Sequence, residues 1–167
     1  MTRWGERTLV FIGTSCGLGY VPIAPGTAGA LPGVAIFLFI ALAAPVALQT
    51  ILIALALLAV SALTVALGSW AEAHWGKKDP GTFVLDEVAG FLFTVLLFRT
   101  PNLLLTTVWA FILTRIIDIL KLPPARQLEH LPKGWGILAD DLCSSLYAAG
   151  ILHLIAVYFP RLVGATA

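Results

Sequence analysis

The chain carries no charged residue from Thr8 to Ala71. A transmembrane helix needs about 20 consecutive apolar residues, so this uncharged stretch is long enough for more than one crossing. Over the whole chain 59% of residues are hydrophobic and 11% are charged, whereas soluble domains carry about 25% charged residues. The sequence therefore predicts an integral membrane protein. Its 167 residues suffice for one helical unit and are too few for two, so we expect a single domain over residues 1–167.

Five apolar segments follow one another along the chain, and they predict the fold class. Segments B and E are the secure spans by length, and segment D is also long enough. Segment A contains Pro32 and Gly33, and segment C begins with two carboxylates, so either could be tilted, re-entrant or a half-span packed inside the bundle. The expected fold is all-α, a polytopic membrane bundle of about four to five apolar helices. Segments A to E cover residues 28–44, 45–70, 82–98, 102–120 and 137–159.

Net charge and cysteine content exclude several classes of protein. A net charge of +1 argues against nucleic-acid binding, which needs a concentrated basic surface. The two cysteines, Cys16 and Cys143, do not form a Cys-x-x-Cys pair, so the sequence indicates neither a disulfide framework nor a thiolate metal site. Cys16 also lacks the arginine spacing that a cysteine-dependent phosphatase requires.

Charged residues beyond the uncharged stretch gather in clusters at or beside the apolar segments. A carboxylate in such a place costs several kcal/mol unless a cation or water compensates it, so these residues are functional-site candidates. The four clusters are Asp86 with Glu87, Arg115 with Asp118 and Lys121, the stretch from Arg126 to Lys133, and Asp140 with Asp141.

The distribution of Lys and Arg predicts which membrane face carries these clusters. If the N-terminus is cytoplasmic and all five segments cross, seven Lys and Arg residues fall in the inner connections and two, Arg99 and Arg161, fall in the outer ones. The positive-inside rule favours this orientation. All four clusters and the Gly-rich and Pro-rich loop of residues 13–27 then lie at the cytoplasmic face.

Carboxylates and cations at one depth suggest phosphate chemistry with a hard metal ion. Carboxylate oxygens suit Mg²⁺, while Arg and Lys suit phosphoryl oxygens. Arg115 and Asp118 are three residues apart, hence on one helix face, and Lys121 follows at the same step. We expect Arg115, Lys121 and the loop residue Thr27 to bind the phosphate. The expected catalytic and metal-binding residues are Asp86, Glu87, Asp118, Asp140 and Asp141.

Four sequence motifs make the chain resemble the phosphatidylglycerophosphatase A family from about residue 13 to residue 150. Together they have that family's order and spacing. They are Gly17-Leu18-Gly19 followed by Ala24-Pro25-Gly26-Thr27, Val84-Leu85-Asp86-Glu87-Val88-Ala89-Gly90, Arg115-Ile116-Ile117-Asp118-Ile119-Leu120-Lys121 with Pro124, and Gly134-Trp135-Gly136-Ile137-Leu138-Ala139-Asp140-Asp141.

The resemblance implies a membrane-bound, Mg²⁺-dependent phosphatase of bacterial phospholipid synthesis. It also implies the substrate, a phospholipid of the inner leaflet: phosphatidylglycerol phosphate, hydrolysed to phosphatidylglycerol and inorganic phosphate. A multi-pass protein of the bacterial inner membrane, with its active site facing the cytoplasm, fits this expectation. The chain departs from the family where Leu122 follows Lys121, at Lys133-Gly134, at Ser144-Ser145 and at Glu129-His130, which leaves room for a different head group.

Other interpretations of the same residues remain open at this stage. Each acidic pair could cap a helix, Arg115 and Asp118 could form a structural ion pair, and Lys121 could anchor a span at the membrane interface. The nucleophile could be water or a carboxylate that forms an acyl phosphate, and the number of metal ions and any homo-oligomer are undetermined. Two alternative classes are a membrane transporter or channel component and a CDP-alcohol phosphotransferase-like enzyme.

Overall fold

The computed structural model describes residues 3–165, and in that range it is built from α-helices with one 3-10 turn and no strand. This confirms the all-α class. The helices are α1 (Arg3–Gly13), α2 (Pro25–Gly29), α3 (Leu31–Ala43), α4 (Val46–Trp75), α5 (Leu85–Leu97), α6 (Leu103–Leu120), α7 (Ala125–Leu128), α8 (Gly134–Tyr158) and α9 (Pro160–Val163).

Four helical stretches in the described part of the chain are long and apolar enough to cross a membrane. Three are the single helices α4, α6 and α8, and the fourth combines α2 and α3 over Pro25–Ala43. Many of their large apolar side chains are exposed, including Leu42 and Leu58, as expected when lipid rather than water surrounds them. Segments A, B, D and E thus correspond to these stretches, although α4 continues to Trp75, five residues beyond the predicted end of segment B.

Segment C forms the central helix of the bundle, α5, and this helix is too short to be a complete membrane span. Helix α5 has 13 residues, a length of about 20 Å, against a hydrocarbon core of about 30 Å. Helices α3, α4, α6 and α8 surround it, and Ala89, Phe91, Leu92 and Val95 are completely buried. The half-span that the sequence left open for segment C is therefore what the structure contains.

Contacts at the helix ends establish an antiparallel order that brings three helix termini together. Helix α5 begins beside Ala71 of α4, and Arg99, just after α5, donates a 2.6 Å hydrogen bond to Thr50 near the start of α4. The start of α8 packs on α4 at Gly68, while Trp109 of α6 donates to the carbonyl of Leu162 beyond the end of α8. The start of α5, the end of α6 and the start of α8 consequently lie at one end of the bundle, which we call the acidic end.

Glycines allow the helices to approach closely near the acidic end. A β carbon on Gly134, the first residue of α8, would lie 2.6 Å from the α carbon of Val65 in α4. Such a distance is shorter than any ordinary carbon contact, so a larger residue would push the two helices apart. The contact fixes the height of α8, and with it the height of the carboxylates one to two turns further along.

Candidate active site

The structure brings all five predicted carboxylates together at the acidic end. Asp86 and Glu87 lie in the first turn of α5, Asp118 in the last turn of α6, and Asp140 and Asp141 in the second turn of α8. Each is at most 9% exposed. Burial of this many carboxylates is costly unless cations compensate them.

Arg115 is the cation at the centre of the group. Its Nη2 donates to Asp118 Oδ2 at 2.6 Å, and its Nη1 donates to Glu87 Oε2. The ion pair that the sequence left open as an alternative is therefore present, and it joins α6 to α5. The Arg115 Nε atom is buried and has no hydrogen-bond partner among residues 3–165, so its N–H is a donor that the described protein groups do not use.

Three carboxylates from three helices form a compact group of oxygen ligands. One oxygen each from Glu87, Asp118 and Asp141 lies within 4.8 Å of the other two. Asp118 Oδ1 is buried without a hydrogen-bond partner in the described part of the chain, although a buried carboxylate oxygen normally accepts a bond. A set of oxygen donors with an unsatisfied member is the kind of site that Mg²⁺ prefers, so the residues fit a divalent cation.

Lys121 lies beside this group and already has two carboxylate partners. Its Nζ donates to Asp140 Oδ2 at 3.0 Å and to Glu129 Oε1 in the loop before α8. Burial lowers the pKa of Lys121, but the hydrogen bonds to these two carboxylates outweigh it and raise the pKa above its usual value. Lys121 is therefore positively charged at neutral pH and is able to attract a phosphate oxygen.

The loop predicted to bind phosphate reaches the site through Gly26. A β carbon at residue 26 would collide with Glu87 Oε1 and would lie 3.6 Å from Arg115 Nη2, so the backbone of α2 touches the ion pair directly. Thr27 is the next residue and is half-buried. Within residues 3–165 its hydroxyl makes no hydrogen bond to the carboxylates, so its predicted contact with phosphate stays a prediction.

A layer of hydroxyl groups lies beneath the carboxylates, and the sequence interpretation missed it. Thr94 and Thr114 share a 2.8 Å hydrogen bond between α5 and α6. On α8, Ser144 and Ser145 are buried, and their hydroxyl oxygens have no hydrogen-bond partner among the residues that the structure describes. Each serine is four residues after one of the aspartates, so helical spacing could have revealed that they share a face.

The sequence interpretation also missed Asp79, which lies in the connection between α4 and α5. Its backbone has a φ of +46°, a left-handed conformation that is uncommon for a residue other than glycine. Burial raises the pKa of Asp79, and the positive charge of Lys121 opposes that rise. The sequence does carry one signal for Asp79, since Lys78 and Asp79 form a charged pair shortly before segment C. A polar loop usually faces solvent, however, so this pair alone does not predict a site residue.

A model of the phosphatidylglycerophosphatase A family matches residues 11–156 of the chain. The chain belongs to the phosphatidylglycerophosphatase A family. This membership confirms the resemblance and the prediction of a phosphatase, and it decides against the transporter and phosphotransferase alternatives. The matched residues include every carboxylate described above.

Individual relatives agree with this family. The chain is 36% identical over 148 residues to a protein of Bacteroides thetaiotaomicron named "Putative phosphatidylinositol-3-phosphatase", with 83% of this chain and 87% of the relative covered. It is 29% identical over 145 residues to phosphatidylglycerophosphatase A of Escherichia coli, with 86% and 81% covered. The corresponding enzyme of Haemophilus influenzae is 33% identical over 147 residues, with 83% of each chain covered. No solved structure matches the chain.

Proposed function

We propose that the protein is a Mg²⁺-dependent lipid phosphatase that hydrolyses phosphatidylglycerol phosphate to phosphatidylglycerol and inorganic phosphate. The observation that carries the proposal is the group of ligand oxygens from Glu87, Asp118 and Asp141, beside the guanidinium of Arg115. The family and the two relatives named phosphatidylglycerophosphatase A support the substrate.

The carboxylate group is suited to hold the cation and the basic residues to hold the substrate. Glu87, Asp118 and Asp141 would bind Mg²⁺, which when bound supplies positive charge to phosphoryl oxygens and to the leaving oxygen. Arg115 offers its free Nε–H to a phosphate oxygen, while its two paired nitrogens keep the guanidinium in place. Lys121 already contacts two carboxylates. When phosphate binds, the ammonium would therefore replace one of these contacts with a contact to a phosphate oxygen, and its charge would stay the same.

Hydrolysis adds water across the phosphorus–oxygen bond. The phosphorus gains the oxygen of water, the ester oxygen takes a proton and leaves as the hydroxyl of phosphatidylglycerol, and phosphate is released. The chain contributes by holding the phosphate in line with its nucleophile and by excluding bulk water from the reacting atoms. Whether water or a carboxylate attacks the phosphorus first is decided by stopping the reaction of ³²P-labelled substrate in acid: a carboxylate nucleophile leaves labelled phosphate bound to the protein as an acyl phosphate, and direct attack by water leaves none.

The acidic end is proposed to face the cytoplasm of a bacterial inner membrane. The connections at this end carry Lys77, Lys78, Arg126 and Lys133, while Arg99 lies at the opposite end. This asymmetry supports a cytoplasmic acidic end under the positive-inside rule. A phosphomonoester in the inner leaflet would present its phosphate at that depth.

The relative from Bacteroides thetaiotaomicron favours a second candidate substrate, phosphatidylinositol 3-phosphate. Both lipids are phosphomonoesters of a polyol head group, so the same carboxylates and cations would serve either. They differ in the size of the alcohol that leaves. A direct comparison of the two lipids therefore decides the head group without altering the proposed chemistry.

Release of inorganic phosphate by purified protein tests the proposal. We expect release from phosphatidylglycerol phosphate with Mg²⁺, little release with a chelator, and a loss of at least about 100-fold in Asp118→Asn. Glu6→Gln is the matched control, because Glu6 is an exposed carboxylate that pairs with His74. Full activity in the chelator, or in Asp118→Asn, would refute the assignment. Faster release from phosphatidylinositol 3-phosphate would change the substrate alone.

A further inference from the structure

A groove of about 490 Å³ runs along an exposed face of α8. Its volume lies in the range of about 300–1,000 Å³ that is usual for the binding sites of small molecules. The groove is lined by one face of α8 from Cys143 to Leu154 and is bordered by Pro124, just before α7. We call it the α8 groove.

The α8 groove exists because Gly150 has no side chain. A β carbon at residue 150 would meet no atom within 4 Å, so no described residue packs into this position. Leu146 and Leu154, four positions before and after it, are large and exposed, and on a helix they lie on the same face as Gly150. They form two ridges with a gap between them. A glycine inside a helix lowers its stability relative to alanine, so packing within the chain does not account for the gap.

The lining of the α8 groove suits an apolar molecule. No charged side chain of the described residues lines it. The Tyr147 hydroxyl already donates a 2.7 Å hydrogen bond to the carbonyl of Pro123, and the thiol of Cys143 is only a weak donor. The groove therefore offers little to a phosphate or a polar head group and is suited to a hydrocarbon chain.

The α8 groove begins beside the acidic end. Cys143 lies one turn after Asp140, on a neighbouring stripe of α8. Lys121 donates to Asp140 at 3.0 Å, and the connection that follows Lys121 is fastened to α8 by the hydrogen bond from Tyr147 to Pro123. A molecule whose phosphate lies at the acidic end is therefore next to the start of the groove.

The length of the α8 groove matches the depth of one membrane leaflet. From Cys143 to Leu154 the helix rises about 16 Å, and it does so away from the acidic end. Half of the hydrocarbon core of a bilayer is about 15 Å thick. The groove thus follows the direction and the depth of an acyl chain whose head group lies at the acidic end.

A transmembrane helix of a second copy would fit the α8 groove less well. Helices that approach closely in membranes carry small residues four positions apart at the contact. The positions four residues from Gly150 hold Leu146 and Leu154 instead, and these exposed side chains would keep another helix away from the gap. A single flexible hydrocarbon chain can lie between them.

We propose that the α8 groove holds one acyl chain of the phospholipid substrate while the phosphate lies at the acidic end. The inference rests on the proposed function and deepens it, since it assigns the binding of the apolar part of the substrate. Lipid tails are as apolar as the groove, so entry of the chain from the bilayer brings little hydrophobic gain. The contribution of the groove is position, because a chain held beside α8 keeps the phosphate next to Lys121.

Gly150→Leu tests the proposal, because leucine would fill the gap between Leu146 and Leu154. Phosphate release is compared for phosphatidylglycerol phosphate with long acyl chains and with chains too short to reach residue 150. Because small misplacements of reacting groups are costly, we expect kcat/KM to fall at least about tenfold for the long-chain lipid and less than about twofold for the short-chain lipid. Ala59→Leu adds the same side chain at an exposed position of α4 and should leave both values unchanged.

Photochemical crosslinking of the wild-type protein is a second measurement that needs no variant. A diazirine in the middle of one acyl chain of phosphatidylglycerol phosphate reacts with the residues beside that chain. We expect attachment mainly within residues 143–154, and an excess of unlabelled long-chain lipid should prevent it. Attachment to the exposed face of α4 as often as to α8 would show that the chain lies in bulk lipid, which would overturn the proposal. If Gly150→Leu does not fold, this result decides.

The possible results separate this inference from the proposed function. No phosphate release from either lipid by the wild type would overturn the proposed function, and the inference with it. Release by the wild type, with an equal effect of Gly150→Leu on both lipids, would overturn the inference and leave the proposed function intact. A dimer in detergent that Gly150→Leu converts to a monomer would assign the groove to a second copy and would also overturn the inference.

Discussion

The backbone of Gly26 lies against the carboxylate of Glu87, so a β carbon at residue 26 would collide with the Glu87 Oε1 atom. This contact joins the loop before α3 to the ion pair of Glu87 with Arg115. Because Glu87 is also one of three grouped ligands, the backbone at Gly26 helps to fix where its oxygens lie. Residue 26 therefore controls the geometry of the site without contributing a side chain.

Gly26→Ala should reduce phosphate release by at least about tenfold while the protein remains folded. The methyl group would displace the Glu87 carboxylate, and a misplacement of about 1 Å in a catalytic group can cost about 100-fold. Steady-state phosphate release measures the effect. Gly81→Ala is the matched control, because a β carbon there meets no atom within 4 Å. Equal activity of the two variants would contradict the proposed role of Gly26.

Arg115→Gln should destabilise the protein more than Arg115→Lys does. Removing the guanidinium leaves Glu87 and Asp118 buried without their counter-charge, and breaking a buried ion pair costs about 3–5 kcal/mol. Lysine restores the charge but cannot hold both carboxylates as a planar fork. Thermal unfolding in detergent measures the order. If Arg115→Gln were as stable as the wild type in the absence of metal, the ion pair would have no structural role.

Removal of divalent cations should lower the unfolding temperature. A cation that binds only the folded protein stabilises it by about 2.7 kcal/mol at a concentration 100 times its dissociation constant. Thermal unfolding with chelator and with saturating Mg²⁺ gives the shift. Asp118→Asn should lose most of the shift, and Glu6→Gln should keep it. A shift of equal size in Asp118→Asn would place the stabilising cation elsewhere.

Gly134→Ala should destabilise the bundle, because the added methyl group would collide with the backbone of Thr64 and Val65 in α4. Overpacking of this kind costs about 1–3 kcal/mol. Gly150→Ala lies on the same helix and meets no atom within 4 Å, so it should be neutral or slightly stabilising. The comparison is made by thermal unfolding, and equal stability of the two variants would refute the close contact of α4 with α8.

The orientation in the membrane can be tested with single cysteines. In a protein whose Cys16 and Cys143 are replaced by serine, Arg161→Cys should react with a membrane-impermeant maleimide in intact spheroplasts. Lys78→Cys should react only after the membrane is permeabilised, because the acidic end is proposed to face the cytoplasm. Labelling of Lys78→Cys in intact spheroplasts would reverse the proposed orientation.

Much of the fold could be predicted from the sequence, because the lengths of the apolar segments largely determine where the membrane helices lie. The uncharged stretch and the five segments predicted the helices, and the positions of Asp86, Asp118 and Asp140 at segment ends predicted that they would meet. Apolar content could not show that most of α5 is buried inside the bundle, since a span facing lipid and a helix enclosed by protein have the same composition. Tertiary packing decided that difference.

The parts of the site that the sequence missed depend on contacts rather than on residue type. Asp79 resembled a solvent-facing loop residue, but the fold half-buries it at a small cavity that Glu129 also lines. The contact between Gly26 and Glu87 corresponds to no pattern in the sequence that would predict it. Mg²⁺, the roles of the individual carboxylates and the phosphate contact of Thr27 are still predictions, because they concern groups that bind to the folded protein.

Glu87, Asp118 and Asp141 are proposed to hold a divalent cation. Anomalous diffraction from crystals of active protein grown with Mn²⁺ tests it most directly. We expect an anomalous peak within bonding distance of one carboxylate oxygen from each of the three residues. Mn²⁺ peaks found only away from these residues would contradict the claim.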